Sequence, residues 1–468
     1  MTALPRFRQQ LQVSERKVLL ALGDLAMLSL GLFFVLAVRL QAAFETTPAV
    51  RRATWFVLLA AAWAVAGTLA EVYDLRRAAK LGVGPLRAAA AVLAADAIYL
   101  AIPYVTPYLH ASRLTIVLFA LATGGLVALW RVLYAAVLVQ PSFRHPVLIL
   151  GAGPPGREIL AAMRSYGSTE YLPVGFVDDD PALVGKEVDG LEVLGHHREL
   201  HRVLERTGAS EVVVAIPAGA PSTGQLFQAL VDSHERGIAV TPMHRLFEAL
   251  TGQVPVEHAG RNLAVVLPLD RPPPVLFDSF KRVTDVLMAT AGLLLTLVVT
   301  PLAAVGLWLE DRGPVFYRQR RVGQAGRQFE ILKFRTMVEH AEINGPQWAA
   351  VGDPRVTWTG RILRRLHLDE LPQAWNILKG DMSVIGPRPE RPEFVEALQA
   401  AIPFYRTRLS VRPGVTGWAQ VNFEYGDSIE DALIKLRYDL YYIKHRSLLL
   451  ELTILVRTLG HVFRRGGR

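Results

Sequence analysis

The residues best suited to covalent chemistry in this 468-residue chain are two adjacent acids, Asp369 and Glu370, within Leu366-His-Leu-Asp-Glu-Leu-Pro-Gln373. Alone, acids at a helix start serve as solvated charges that complement the helix dipole, and the proline suits a first helical turn. Their surroundings change that reading. Arg361, Arg364 and Arg365 lie upstream, Pro387-Arg388-Pro389 downstream, and Arg412-Pro-Gly414 beyond it. Guanidinium groups bind phosphate bidentately, and a stiff Pro/Gly backbone holds them at low entropic cost. A carboxylate is a competent nucleophile at phosphorus when cations spread the charge of a loose transition state. The pattern therefore points to phosphoryl transfer.

Composition says where such a centre must sit. Hydrophobic residues make up 51% of the chain, more apolar surface than a soluble protein of this length covers. Apolar runs near 17–39, 53–73, 85–106 and 113–139 each approach the roughly 20 residues a helix needs to cross a bilayer. The first is too long for the apolar core of a signal peptide, and further spans follow. Arg6, Arg8, Arg16 and Lys17 precede the first run, and Arg76, Arg77, Lys80 and Arg87 lie between the second and third; this bias puts those ends in the cytoplasm. The net charge of +9 is then explained by cytoplasmic flanks meeting anionic lipid, and no nucleic-acid-binding signature accompanies it. With no cysteine in the chain, disulfides and thiolate metal sites are excluded.

Beyond Pro141 the pattern becomes α/β. His145-Pro-Val-Leu-Ile-Leu reads as a strand, Gly151-Ala-Gly-Pro-Pro-Gly156 as a tight turn, and the residues after it as a helix, with further strands near 172–178 and 211–216. A glycine turn between strand and helix suits a dinucleotide or phosphate, with Gly151, Gly153 and Gly156 at the turn and Asp178 where a ribose-binding acid could end the second strand. His197 and His201 are four apart and could form one helical metal edge, but Arg198 and Glu199 between them read as a solvated helix start.

Arg271-Pro-Pro-Pro274 reads as a stiff linker. After it, the apolar stretch 286–309 has Lys281 and Arg282 before it and Arg312, Arg318, Arg320 and Arg321 after it, so both ends read as cytoplasmic. Pro301 lacks an amide donor and should bend or break the helix. The reading is a re-entrant hairpin dipping into one leaflet; the alternative, an ordinary kinked transmembrane helix, would strand the polar C-terminal unit outside the cell, away from nucleotide sugars. Leu436–Arg465 mixes Tyr, Leu and Ile with Lys and Arg, which suits a membrane surface or a helix packed on the core.

Several strings in the last part of the chain carry a resemblance. They are Lys281-Arg-Val-Thr-Asp285, Gly313-Pro-Val-Phe-Tyr-Arg-Gln-Arg-Arg-Val-Gly323, Lys333-Phe-Arg-Thr-Met337, Leu368-Asp-Glu-Leu-Pro-Gln373, the run Asn376 to Pro389, and Arg412 to Asn422. From about 275 onward the chain resembles polyprenyl-phosphate hexose-1-phosphate transferases, the large monotopic-type phosphoglycosyl transferases, and its front part resembles that of their longer members.

The resemblance implies a multi-domain membrane protein: transmembrane helices over 1–141, a Rossmann-like α/β module over 142–265, and a mainly α catalytic domain over 266–468 with the re-entrant helix. It implies transfer of a hexose 1-phosphate from a UDP-sugar to undecaprenyl phosphate, releasing UMP, as the initiating step of exopolysaccharide, capsule or O-antigen synthesis. Asp369 would form the aspartyl phosphosugar. Glu370 would assist as acid or base and, with Asp369, hold Mg2+. Lys333, Arg364, Arg388 and Arg412 would bind phosphates or nucleotide, while Lys281, Arg282 and Asp285 would organise the hairpin at headgroup level, Asp285 pairing with an arginine. The site would face the cytoplasm from the bacterial inner membrane, and a homodimer is the expected assembly.

The alternative is a membrane-tethered NAD(P)-dependent enzyme modifying sugar nucleotides, but no Tyr-x-x-x-Lys pair occurs between 146 and 265. A transporter would need more intramembrane charges than Asp24, Asp96 and Arg131.

Overall fold

The structure, a computed structural model, describes residues 13–73, 75–102, 104–109, 112–137, 144–168, 170–217, 224–260, 263–267, 275–339, 341, 353–423, 426 and 428–465. Arg6, Arg8, the expected boundary at 141 and the polyproline linker 271–274 lie outside the described residues. The chain divides into two compact units, Met1–Thr251 and Gly252–Arg468.

The first unit opens with helices α1 (Val13–Arg39), α2 (Ala49–Leu69), α3 (Gly84–Leu100) and α4 (Arg113–Val137). Their inward faces join in one core containing Leu32, Leu36, Trp55, Trp63, Val92, Tyr99 and Phe119, while Leu22, Val57, Leu93 and Leu121 point outward. Apolar side chains on both faces are the mark of a helix in lipid. Arg131 and Asp24 form a buried ion pair, while Asp96 is held by a threonine. Arg131 grips Asp24 through Nε at 2.9 Å and Nη2 at 2.5 Å and donates to the carbonyl of Val72 at 2.6 Å, and Thr123 donates to Asp96 at 2.8 Å. Among the described residues, the helices long and apolar enough to cross a membrane are Lys17–Arg39, Ala49–Leu69, Arg113–Val137 and Leu276–Asp311. The expected span 85–106 is instead the 17-residue α3, about 26 Å long. The sequence carries Pro103, and a residue preceding proline disfavours the helical conformation.

A parallel sheet follows, built from β1 (His145–Leu150), β2 (Tyr171–Val177), β3 (Glu211–Val214) and β4 (Ala239–Pro242) in the order β2-β1-β3-β4. Successive side chains of β1 alternate between two cores. Val147 and Ile149 meet α5 (Pro154–Tyr166) through Ile159 and Met163, whereas Leu148 and Leu150 meet α6 (Leu200–Thr207) and α7 (Gly224–Glu235) through Val203, Leu204 and Leu226. Helices on both faces explain the near-continuous apolar run of β1. Gly151 turns the chain with φ 106°, and a Cβ on Gly156 would lie 1.9 Å from the carbonyl oxygen of Gly151, so the helix starts this close to the strand only because both are glycine.

The second unit begins earlier than the expected boundary at 265. Val254, Val256, Ala259, Val265 and Val266 fill its core beside Val395, Tyr405, Leu436 and Leu440, and Val254 N donates to the carbonyl of Arg437. Burial of these apolar residues, rather than the proline run, draws the line between units. Next comes α8 (Val275–Asp311), a single helix of 37 residues with Pro301 inside it. Thr296 and Thr300 bond back to the carbonyls of Gly292 and Thr296, a pattern that loosens a helix just ahead of its proline.

Beyond α8 lie the antiparallel pair β5 (Phe316–Val322) and β6 (Gln328–Phe334), helix α9 (Trp358–Arg365), a 3-10 turn Leu368–Glu370, helix α10 (Gln373–Lys379), strand β7 (Ser383–Ile385), helix α11 (Pro392–Ala401) and strand β8 (Gly414–Thr416), which pairs in parallel with β7. Two helices close the unit. In α12 (Ile429–Lys444), Leu436, Tyr438, Leu440, Tyr442 and Ile443 are buried. In α13 (Leu448–Arg465), Ile454 and Val456 are buried while Leu449, Leu452 and Leu459 are exposed. The stretch read as either core or surface is thus a core helix followed by an amphipathic one.

Candidate active site

Asp369 and Glu370 occupy the short turn between α9 and α10. His367 enters that turn in the left-handed region, φ 55°, which reverses the chain at a cost of about 1–2 kcal/mol for a residue with a Cβ. Leu368 and Leu371 anchor it, packing on Ala303, Phe334 and Leu363. With the leucines inward, the two acids between them face the cations.

Glu370 is the better held. Its Oε1 accepts from Lys333 Nζ at 2.8 Å and Arg388 Nη2 at 3.0 Å. Burial alone would raise its pKa, but these two cations hold it well below the usual carboxylate range. Asp369 behaves oppositely. Burial and the neighbouring charge of Glu370 push its pKa up, against the pull of Lys333, Arg364 and Arg388. One acid of the pair is therefore a fixed anion, and the other is the more basic carboxylate.

Each cation has its own support. Lys333 lies on β6, which is tied to α10 by Asn376: its Oδ1 accepts from Leu332 N at 3.0 Å and its Nδ2 donates to the carbonyl of Glu330 at 2.7 Å. Arg364 donates from Nε to Thr336 Oγ1 at 2.9 Å. Arg388 stands on the turn after β7, where Gly386 N donates to the carbonyl of Thr416 and Gly414 N to that of Pro387. Arg408 Nη2 donates to the Arg388 carbonyl at 2.9 Å and is itself paired with buried Asp439 at 2.9 Å.

The sequence candidates thus fall into groups. Asp369, Glu370, Lys333, Arg364 and Arg388 come together. Arg412 is brought near in backbone only, through the Gly386–Gly414 contact; its side chain is exposed and makes no hydrogen bond to the acid pair. Lys281, Arg282 and Asp285 each bond to other parts of the second unit. Lys281 pairs with Glu451 at 2.7 Å, and Arg282 donates to the carbonyls of Ile377 and Leu378 at the end of α10. Asp285 accepts from Ser383 Oγ and Val384 N, both at 3.0 Å, not from an arginine. A buried carboxylate takes whichever donors the fold presents, and here those are the start of β7. Asn376, Thr336, Arg408 and Asp439 went unread in the sequence. Thr336 and Asn376 lie inside motif-bearing segments, but nothing local distinguishes a stitching threonine or asparagine from a surface one.

Among the described residues no three His, Cys, Asp or Glu side chains gather into a metal-binding cluster. Asp369 and Glu370 still fit magnesium, which needs one or two carboxylates and takes its remaining ligands from water and substrate phosphates.

The α/β module's glycine turn is self-satisfied. Asp178, read as a ribose-binding acid, accepts from Ala152 N at 2.6 Å and Asp180 N at 2.9 Å. Pro154 and Pro155 open α5 and supply no amide donors.

Comparison with known proteins agrees with this geometry. A family model described as bacterial sugar transferase matches residues 276–465, and one described as CoA-binding domain matches residues 68–226. The chain is 43% identical over 223 residues to a UDP-N-acetylgalactosamine-undecaprenyl-phosphate N-acetylgalactosaminephosphotransferase of Aeromonas hydrophila, covering 47% of this chain and 52% of that one. It is 36% identical to a UDP-glucose:undecaprenyl-phosphate glucose-1-phosphate transferase of Xanthomonas campestris pv. campestris, covering 59% and 57%. It is 44% identical to a protein of the same name from Caulobacter vibrioides, covering 40% of this chain and 70% of the relative. The matches to the first two span about half the length of those relatives. With 70% of the Caulobacter protein covered at that identity, the chain belongs to the bacterial sugar transferase family.

Proposed function

We propose that the protein transfers a hexose 1-phosphate from a UDP-sugar to undecaprenyl phosphate. The observation that carries this is the division of labour in the acid pair: Glu370 locked by Lys333 and Arg388, Asp369 left as the more basic carboxylate among cations. A carboxylate oxygen of Asp369 attacks the sugar-linked phosphorus, forming an acyl phosphate as the bond to UMP breaks and UMP leaves with that electron pair. An oxygen of the lipid phosphate then attacks the same phosphorus, and the aspartyl carboxylate departs. Lys333, Arg364 and Arg388 bear the charge on the phosphoryl oxygens, and Glu370 keeps the first and last of these in place. Arg412, exposed at the neighbouring turn, is assigned to the nucleotide end. Asp369 and Glu370 would hold Mg2+, which when bound neutralises the diphosphate.

The chemistry is assigned to the cytoplasmic face of the inner membrane, with α8 re-entrant. Support for this topology comes from both arms of the helix. Arg282 and Asp285 before Pro301 bond to α10 and β7, whereas Glu310 after it accepts from Thr359 N of α9 at 2.6 Å. A crossing helix would draw α9, with its arginines, through the bilayer. The chain lacks cysteine, so single cysteines at exposed Leu276 and at Arg312 report directly. Both should react with an impermeant maleimide from the same membrane face, and labelling from opposite faces would refute the re-entrant arrangement. The assembly is assigned as a homodimer, tested by mass in native-lipid particles.

The activity itself is tested by nucleotide release from UDP-glucose and UDP-galactose with magnesium and undecaprenyl phosphate. Lipid-dependent UMP, absent in Asp369→Asn, is expected; release of UDP instead would overturn the reading. The NAD(P)-enzyme alternative is disfavoured by the bonds that occupy Asp178.

A further inference from the structure

The α/β module has a second polar feature, away from its glycine turn. A cleft of about 360 Å³ lies between the start of α6 and the length of α7, lined by His197, Arg198, His201, Gln228, Asp232 and Arg236 among others. Its volume is that of a small-molecule pocket. His197 is 7% exposed, and its Nε2 is buried without a hydrogen-bond partner. The ring is not loose. Asp179 Oδ1 lies 2.6 Å from Nδ1 and also accepts from the His197 backbone amide at 3.1 Å. A carboxylate at Nδ1 fixes the imidazole and leaves Nε2 as the ring nitrogen still in want of a partner. A buried ring nitrogen in that condition calls for a hydrogen-bond partner.

The rest of the lining says which partner. Arg198 and Arg236 supply cationic groups against the one acid of the lining, Asp232, to which Gln228 already donates, while His201 is paired with Glu205 at 3.0 Å. Among the described residues Arg236 rests on the ring of His201 rather than on a carboxylate. We propose that this cleft binds the phosphate of a small phosphorylated molecule, with His197 Nε2 at its base and Arg198 and Arg236 at its rim. The site is separate from the glycine turn, whose amide of Ala152 is already spent on Asp178.

The test is pyrophosphate titration by calorimetry on the full chain in lipid nanodiscs. Arg388→Gln weakens the phosphate affinity of the candidate active site and isolates the second one. In that background one equivalent should still bind, and adding Arg236→Gln, an exposed substitution, should weaken it roughly tenfold, the loss of one charge-assisted hydrogen bond. His197→Gln should do the same with the melting temperature unchanged. Loss of all pyrophosphate binding in Arg388→Gln alone, or retained affinity in Arg236→Gln, would overturn the assignment.

Discussion

Lys333 Nζ and Glu370 Oε1 lie 2.8 Å apart across β6 and the turn Leu368–Glu370, and the same oxygen receives Arg388. Because two cations converge on one oxygen of Glu370, they fix a carboxylate that flanks Asp369 without occupying Asp369 itself. Asp369 is the more basic acid of the pair, through its burial first and the charge of Glu370 second.

The first prediction concerns pH. In the proposed reaction Asp369 must be ionised to attack, and its pKa is raised by burial and by Glu370, so kcat/KM should fall on the acid side at a pH above that of an ordinary aspartate, about 3.9. Removing a cation favours the protonated form and raises the pKa further. The acid limb of Arg388→Gln should therefore lie at higher pH than that of the wild type, as a full pH–rate profile would show; a limb at lower pH would contradict the electrostatics.

Asn376 supplies the second. Asn376→Ala removes both bonds from α10 to β6 and should cost about 1–3 kcal/mol of stability, since it leaves a strand amide and a carbonyl unpaired. Activity should fall more than with a surface substitution of equal stability cost, because Lys333 rides on that strand. Thermal melts and kcat/KM measured together separate the two effects.

A third concerns the buried pair beneath Arg388. Asp439→Asn leaves Arg408 charged in the core and should destabilise by about 3–5 kcal/mol, whereas the double change Arg408→Met with Asp439→Leu should recover much of that loss. The recovered protein should still show a lowered kcat, because the carbonyl of Arg388 has lost its donor. Denaturant melts and steady-state kinetics on both variants test this.

A fourth follows from a close approach. A Cβ on Gly360 would sit 2.2 Å from the carbonyl oxygen of Thr336, and Thr336 Oγ1 holds Arg364. Gly360→Ala should destabilise by about 1–3 kcal/mol and lower kcat/KM by displacing Arg364. An unchanged melting temperature would show that α9 moves freely.

Much of this protein was determined locally, where neighbouring residues decide the outcome. Long apolar runs commit α1, α2, α4 and α8 to helices that lipid can accept, because an unpaired backbone in hydrocarbon is costly. Gly151 and Gly156 commit the strand–turn–helix of the α/β module, and Asp369-Glu370 among arginines marks the chemistry. What depends on residues distant in the chain was left to tertiary structure. Pairing decided that Asp178 closes its own turn, that Asp285 caps β7 and that Lys333 and Arg388 both choose Glu370. Core packing moved the unit boundary from 265 to 251/252 and turned Arg412 outward. The reason is common to all of them: a side chain's type sets what it can bond, but its partner is whichever group the packed backbone brings within about 3 Å.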